Sequence, residues 1–215
     1  DRDGRGRGQM SLRRGPRPPR RPARALPWRR AAFASLDFET TGLDYRRDDI
    51  VSFGVVPVVS GRVILKAAAE QLIAPAVPAS PASMKVHGIV PQELVDARPV
   101  SSAREALHGL LDRRFLLTWY GEVEIAFLGR IFGTRRGTWA RRTVDVRKLV
   151  LRLEGRPAAT RNTLGGSAAR YGIPVASPHD ALDDALVTAQ LFLVIAAKLE
   201  AAGRGRVRDL LAISR

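Results

Sequence analysis

Apolar positions along residues 31–200 recur with two spacings, one typical of strands and the other typical of helices. Three segments rich in β-branched and aromatic residues come first. A Ser-Gly turn precedes the third segment, and this arrangement predicts an antiparallel meander. Shorter strands then alternate with helical segments, which favours a mixed five-stranded sheet flanked by helices, an α/β fold. Strands are predicted over 33–38, 50–59, 62–72, 115–119 and 143–146, and helices over 101–113, 122–132, 147–153, 163–171 and 181–200.

Turn and capping residues predict where several elements begin and end. Four prolines between residues 74 and 91 predict that this stretch is mostly loop. Ser101 or Ser102 can cap the helix that follows. Pro178 ends any earlier helix, and Asp180 can cap the last one.

Composition and charge divide the chain into three parts. Residues 1–30 contain eleven arginines against two aspartates and almost no apolar periodicity, so we expect a disordered Arg/Pro-rich tail. The folded domain is predicted over 31–201, followed by a basic C-terminal extension over 202–215. The net charge of +15 permits binding to nucleic acid without proving it.

Cysteine usage and hydropathy exclude several classes of protein. The chain has no cysteine, which rules out disulfides, thiolate zinc sites and cysteine nucleophiles. A bound metal would therefore have oxygen or imidazole ligands, which favours Mg²⁺ or Mn²⁺. No apolar run approaches the ~20 residues that a membrane-spanning helix needs, so we expect a cytoplasmic protein with no membrane partner.

Two acidic residues end the first predicted strand. Asp37 and Glu39 are two positions apart, so they project from the same face, while Phe38 points to the opposite face and into the core. Two adjacent carboxylates repel each other and are costly to bury unless a cation neutralises them. The pair therefore indicates a divalent metal site, although solvated acids at a strand edge are the commoner meaning of such a pair on its own.

A second group of polar residues precedes the last predicted helix. His179 lies in the loop before the helix, and Asp184 lies in its first turn, where the helix dipole favours a negative charge. If this loop folds back on the sheet, His179 and Asp184 can meet Asp37 and Glu39. A capping or core role for His179 is the alternative.

In this order and spacing, these segments resemble the DEDDh (DnaQ-like) 3′–5′ exonucleases, a family that includes bacterial proofreading subunits, RNase T and oligoribonuclease. Leu-Asp-Phe-Glu-Thr-Thr-Gly (36–42) resembles the first family motif, and His179 to Asp184 resembles the third, His-x4-Asp. Val-His-Gly-Ile (86–89) resembles a family loop, and Asn-Thr-Leu (162–164) and Tyr-Gly-Ile-Pro (171–174) resemble the lead-in to the third motif. The resemblance covers about residues 33–200 and implies a ribonuclease H-like fold.

The second family motif is altered in this chain. The family usually has His-Asn-Ala-x-Phe-Asp-x-x-Phe-Leu, whereas residues 119–128 are Trp-Tyr-Gly-Glu-Val-Glu-Ile-Ala-Phe-Leu. This comparison puts Glu124 in the place of the aspartate, and Glu122 is the alternative. Glutamate is an oxygen ligand one methylene longer than aspartate, and Mg²⁺ tolerates little error in geometry.

The resemblance implies hydrolysis of phosphodiester bonds with two divalent ions, Mg²⁺ or Mn²⁺. The implied metal ligands are Asp37, Glu39, Glu124 and Asp184, with His179 as the general base. Thr40, Thr41, Gly42 and His87 are the implied contacts to the terminal nucleotide, and a loop histidine that caps local backbone is the alternative for His87. Trp119 and Tyr120 can stack on a base or pack in the core.

The expected partner is the 3′ end of single-stranded DNA or RNA, with a DNA polymerase as a further candidate. We expect a 3′–5′ exonuclease that releases nucleoside monophosphates in a role like proofreading or repair. The altered second motif also allows a nucleic-acid-binding or polymerase-associated subunit with a weakened or inactive site. The sequence leaves open the choice between DNA and RNA and the oligomeric state.

Overall fold

A computed structural model describes residues 18–157 and 159–215, which contain one mixed sheet. The strands are β1 (Ala32–Thr40), β2 (Ile50–Val59), β3 (Arg62–Val63), β4 (Ala69–Ala74), β5 (Arg98–Pro99), β6 (Phe115–Thr118) and β7 (Thr143–Asp145). Their order in the sheet is β5-β4-β2-β1-β6-β7, with β3 paired to β2. β2 is antiparallel to both β1 and β4, whereas β6 is parallel to β1 and β7 is parallel to β6.

The mixed α/β sheet is confirmed, with two differences in its strands. The third predicted strand is interrupted, because a short 3₁₀ helix at Leu65–Ala67 separates β3 from β4. The two-residue strand β5 was not predicted and extends the sheet beyond β4. Both additions are too short to produce an alternating pattern in the sequence.

Helices cover both faces of the sheet. They are α1 (Pro81–His87), α2 (Val100–Leu111), α3 (Glu122–Ile131), α4 (Arg136–Ala140), α5 (Val146–Leu153), α6 (Leu164–Arg170), α7 (Ala181–Ala201) and α8 (Val207–Ile213). The prediction that Asp180 caps the last helix is confirmed, because its Oδ1 accepts a hydrogen bond from the Asp183 N–H at 2.8 Å. The predicted helices after residue 100 are all present.

The proline-rich stretch and the start of α2 differ from the sequence expectation. Helix α1 forms within the predicted loop because Ser80 caps it, Pro81 suits its first turn and Gly88 ends it with φ of 73°. Helix α2 begins directly after Pro99, so neither serine caps it. The hydroxyl of Ser102 instead accepts a hydrogen bond from the Gln71 side chain at 3.1 Å.

Alternation along β1 determines which face receives each side chain. Phe33 packs in the core under α7, where its ring lies 4.7 Å from that of Phe192. Leu36 and Phe38 point to the opposite face, into the core under α2 and α3. Asp37 and Glu39 have the same parity as Phe33 and therefore face α7.

Both ends of the described chain contact the domain. Trp28 is buried, its ring lies 5.7 Å from that of Phe192, and its backbone N–H donates to the Gly205 carbonyl at 3.0 Å. Leu210 and Leu211 of α8 are also buried in this core. These contacts differ from the disorder expected up to residue 30, whereas the prediction for residues 1–17 lies outside the described part. The division into a domain over 31–201 and an extension stays a prediction.

No helix within the described residues is long and apolar enough to cross a bilayer.

Candidate active site

Three carboxylates from the two predicted acidic segments converge at the end of β1. Asp37, Glu39 and Asp184 each offer an oxygen within 4.8 Å of the oxygens offered by the other two. Asp37 and Glu39 come from one strand face, and Asp184 comes from the first turn of α7. The loop before α7 therefore folds back onto the sheet, as the metal-site hypothesis required.

A glycine on the neighbouring strand allows α7 to approach this closely. Gly54 of β2 is paired in register with Asp37. A Cβ atom at Gly54 would lie 2.2 Å from the carbonyl oxygen of Ala181, the first residue of α7. The absence of a side chain at this position therefore brings the N-terminus of α7 onto the sheet. Gly54 is not predicted as a site residue from the sequence, because a glycine inside a strand indicates close backbone approach without identifying the partner.

Glu124 lies in the first turn of α3 and lines the same cavity as the three carboxylates. It lies outside the group whose oxygens are all within 4.8 Å. Its side chain is only 3% exposed, and its Oε2 has no hydrogen-bond partner among the described residues. Glu122, the alternative ligand, is exposed and lines a different cavity.

Burial and mutual repulsion make the charged forms of these acids costly. Burial, reinforced by the charges of Asp184 and Asp180, raises the pKa of Glu39 to about 8. Burial, with the charges of Asp145 and Glu39, raises the pKa of Glu124 to about 8. The pKa of Asp37 is raised well above its usual range by burial and by the surrounding carboxylates. Ionising the cluster at neutral pH therefore costs folding free energy unless a cation binds to it.

The cavity around these acids has a volume of about 520 Å³. Among the described residues that line it, none is a lysine or an arginine. The negative charge is therefore not balanced by the protein itself, and Glu124 presents an oxygen with no donor. Several convergent oxygen ligands without a basic partner suit a hard divalent cation.

Both predicted histidines line this cavity. His179 is exposed, has a left-handed φ of 63°, and its backbone N–H donates to the Asp184 Oδ2 at 3.3 Å. His87, at the end of α1, accepts a hydrogen bond on Nδ1 from the Ile89 N–H at 3.0 Å. Burial lowers the pKa of His87, and the nearby Thr40 carbonyl partly opposes this effect.

Two of the three loop residues expected at the nucleotide lie in the cavity wall. Thr40 and Gly42 line the cavity, and the Thr40 hydroxyl donates to the Gly42 carbonyl at 2.8 Å. Thr41 does not line the cavity, because its side chain is buried and its hydroxyl donates a hydrogen bond to the Asp48 Oδ1 at 3.1 Å. Its backbone carbonyl accepts from Ser83 at 2.9 Å and so connects this loop to α1.

The two aromatic residues after β6 have separate environments. Trp119 lines the cavity and also packs against the core under α7. Tyr120 is 50% exposed, and the Arg147 guanidinium lies 4.1 Å from its ring centroid. Tyr120 also has a left-handed φ of 66°, a conformation that disfavours a bulky side chain.

The fold and the acidic centre together define a ribonuclease H-like α/β domain built around a cluster of carboxylates. The chain belongs to the RNase_T exonuclease family, because the family model matches residues 35–192. The resemblance to DEDDh exonucleases is thereby confirmed, and that family uses divalent metal ions.

Individual relatives agree with this assignment. The chain is 30% identical over 167 residues to the DNA polymerase III PolC-type protein of Thermotoga maritima. The matched region covers 76% of this chain and 12% of that protein. The chain thus spans only a small part of that relative. The structure of E. coli exonuclease I in complex with a dT13 oligonucleotide matches this chain with a TM-score of 0.69 at 18% identity. The match covers 80% of this chain and 42% of that chain.

The nuclease domain of 3′hExo, a DEDDh family member bound to rAMP, has a TM-score of 0.63 at 17% identity. The match covers 78% of this chain and 92% of that domain. At these identities the two structural comparisons concern the fold.

Proposed function

We propose that this chain is a 3′–5′ exonuclease that removes nucleoside monophosphates one at a time from single-stranded DNA. The observation that carries the proposal is the convergence of Asp37, Glu39 and Asp184 in a cavity where no basic side chain of the described residues balances them. Glu124 adds a fourth carboxylate, which is buried. We propose two Mg²⁺ or Mn²⁺ ions as the cofactors.

The proposed ligands of these ions are Asp37, Glu39, Glu124 and Asp184. When bound, the ions supply Lewis-acid stabilisation of the charge that develops on the phosphate oxygens and on the leaving 3′ oxygen. His179 takes a proton from the attacking water, a role that suits its exposed position in the cavity wall.

The terminal nucleotide is proposed to contact the wall formed by Thr40, Gly42 and His87. A Cβ atom at Gly42 would lie 2.4 Å from the Asp48 Oδ2, so the glycine allows the loop to pack against Asp48 and thereby fixes the shape of this wall. Thr41 does not line the wall, and its backbone carbonyl connects the loop to Ser83.

The substrate and setting are part of the same proposal. DNA is favoured over RNA because the relative with 30% identity is a DNA polymerase III protein. We propose a polymerase-associated role in proofreading or repair because of that relative, together with a cytoplasmic location. An RNA strand is the alternative substrate, and a matched pair of DNA and RNA oligonucleotides distinguishes the two.

The altered ligand at Glu124 provides the sharpest test of the activity. The assay follows the shortening of a 5′-labelled single strand, and the release of mononucleotides from a uniformly labelled one, with Mg²⁺, Mn²⁺ or EDTA. We expect release with either ion, none with EDTA, and shortening from the 3′ end. Glu124→Asp should preserve or increase the rate, whereas Glu124→Gln should lower it by about 10²-fold, because it removes a charge that binds the cation.

A second candidate function is a nucleic-acid-binding subunit with an inactive site, and the glutamate at position 124 is the observation that favours it. Retained strand binding without release in either ion would support this second function and contradict the first. Equal rates in Glu124→Asp, Glu124→Gln and the wild type would remove Glu124 from the site.

A further inference from the structure

Five basic side chains surround a second cavity, of about 490 Å³, between α5 and α8. Leu151, Ala212 and Ile213 form the apolar part of its lining. Among the described residues that line this cavity, none is an aspartate or a glutamate. The basic residues are Lys148, Arg152, Arg156, Arg204 and Arg215.

Separate segments of the chain bring these charges together. Lys148 and Arg152 are four residues apart on α5, so they share one face of the helix. Arg156 follows the turn after α5, where Gly155 has a φ of 65°. Arg204 follows Gly203 in the turn between α7 and α8. The cavity therefore depends on the folded domain and is not a property of one basic stretch.

The protein balances only part of this charge. Arg156 forms an ion pair with Glu154 at 3.1 Å, and the Lys148 amine donates to the Ser214 carbonyl at 3.0 Å. The side chains of Arg152, Arg204 and Arg215 have no hydrogen bond or ion pair with any residue that the structure describes. A concave surface with such an excess of one sign attracts an anionic partner.

The cationic cavity lies near the sheet edge that carries the candidate active site, because β1, β6 and β7 are parallel and their C-terminal ends share that edge. A smaller cavity of about 470 Å³ lies next to it and shares Lys148 and Arg215 in its lining. That cavity also contacts Gly121 and Glu122, at the beginning of α3. Glu124, two residues further along α3, lines the active-site cavity. The intermediate cavity shares no lining residue with the active-site cavity, and Glu122 and Asp145 line it. A strand whose 3′ end lies at the active-site carboxylates would reach the basic residues by crossing this edge, past the ends of β6 and β7.

We propose that the cationic cavity binds phosphates of the substrate strand several nucleotides away from its 3′ end. This inference rests on the proposed function, and it adds a determinant of substrate length. Arginine and lysine contact the phosphates, and the apolar lining accommodates a base or a sugar. Strands too short to reach the cavity should bind without its contribution.

The test uses the double variant Arg152→Ala/Arg204→Ala in the full chain, together with Asp184→Asn to prevent hydrolysis. Fluorescence anisotropy measures the Kd for a single-stranded 20-mer and for a trinucleotide at several salt concentrations. We expect the Kd for the 20-mer to rise roughly tenfold and its salt dependence to weaken by about 1.4 in log–log slope, because two phosphate contacts are lost. The Kd for the trinucleotide should be unchanged.

The matched control is Arg62→Ala/Arg98→Ala, which removes two exposed arginines from β3 and β5. These strands lie in the half of the sheet away from β7 in the strand order. An equal effect in this control, or an equal effect on both strand lengths, would overturn the proposal. Specific binding of an acidic peptide at the cavity, with unchanged affinity for the 20-mer, would also overturn it. Because binding is measured without turnover, an inactive wild-type chain would contradict the proposed function and leave this comparison valid.

Discussion

Asp184→Asn should lower nucleotide release by about 10³-fold, which corresponds to roughly 4 kcal/mol of transition-state stabilisation. The substitution keeps the size of the side chain and retains an oxygen that can accept the His179 N–H. It removes one negative charge from a group whose oxygens lie within 4.8 Å of one another. The loss should therefore be one of cation binding rather than of folding.

Stability provides a second and opposite readout for the same variant. Burial raises the pKa of Asp184 to about 6, so the folded domain favours its neutral form. A carboxyl group with a raised pKa contributes stability that is lost as the pH rises through the folded value. Without divalent ions, Asp184→Asn should consequently melt at the same temperature as the wild type or higher at pH 8.

Asp183→Asn is the matched control, since Asp183 lies in the same helical turn and accepts hydrogen bonds from Ala176 and Ser177 at 3.1 and 2.9 Å. Its turnover should stay within a few-fold of the wild type. Near-normal turnover in Asp184→Asn, or an equal loss in both variants, would mean that the third motif has been assigned to the wrong residues.

Gly54→Ala should damage the site although residue 54 is not a proposed ligand. The new Cβ atom would lie 2.2 to 2.4 Å from backbone atoms of Ala181 and Leu182, so α7 has to move away from β2. Asp184 moves with the helix. We expect turnover to fall by about 10²-fold, since a displacement near 1 Å has that effect on a positioned group, and stability to fall by ~1–3 kcal/mol from overpacking.

Gly109→Ala is the control for this substitution. Gly109 is exposed in α2, and a Cβ atom there would have nothing within 4 Å. Because alanine favours helices over glycine by up to ~1 kcal/mol, this variant should be slightly stabilised and fully active. Melting by circular dichroism and initial rates measure both effects. Wild-type stability and turnover in Gly54→Ala would contradict the positioning role of Gly54.

Local patterns predicted most of the fold. Alternation along β1 correctly assigned opposite faces to Asp37 and Phe38, and Asp180 caps α7 as predicted. Such features depend on neighbours a few residues away, which the sequence displays directly. The convergence of Asp37, Glu39 and Asp184 also follows from local signals once the resemblance supplies the pairing of the motifs.

Contacts between distant segments could not be predicted in the same way. Trp28 belongs to a stretch dominated by arginine and proline, and its burial depends on Phe192 and Gly205. The role of Gly54 depends on Ala181, which is far away in the sequence. Tyr120 has a left-handed backbone where the family has asparagine, a residue that tolerates this conformation better.

Diffraction from crystals grown with Mn²⁺ and a nucleoside monophosphate tests the central claim most directly. Anomalous scattering from manganese should show ions bound between Asp37, Glu39 and Asp184, with Glu124 contacting one of them. The phosphate of the nucleotide should lie against the same ions and close to His179. Manganese absent from these carboxylates at saturating concentration, or bound only elsewhere on the protein, would contradict the account.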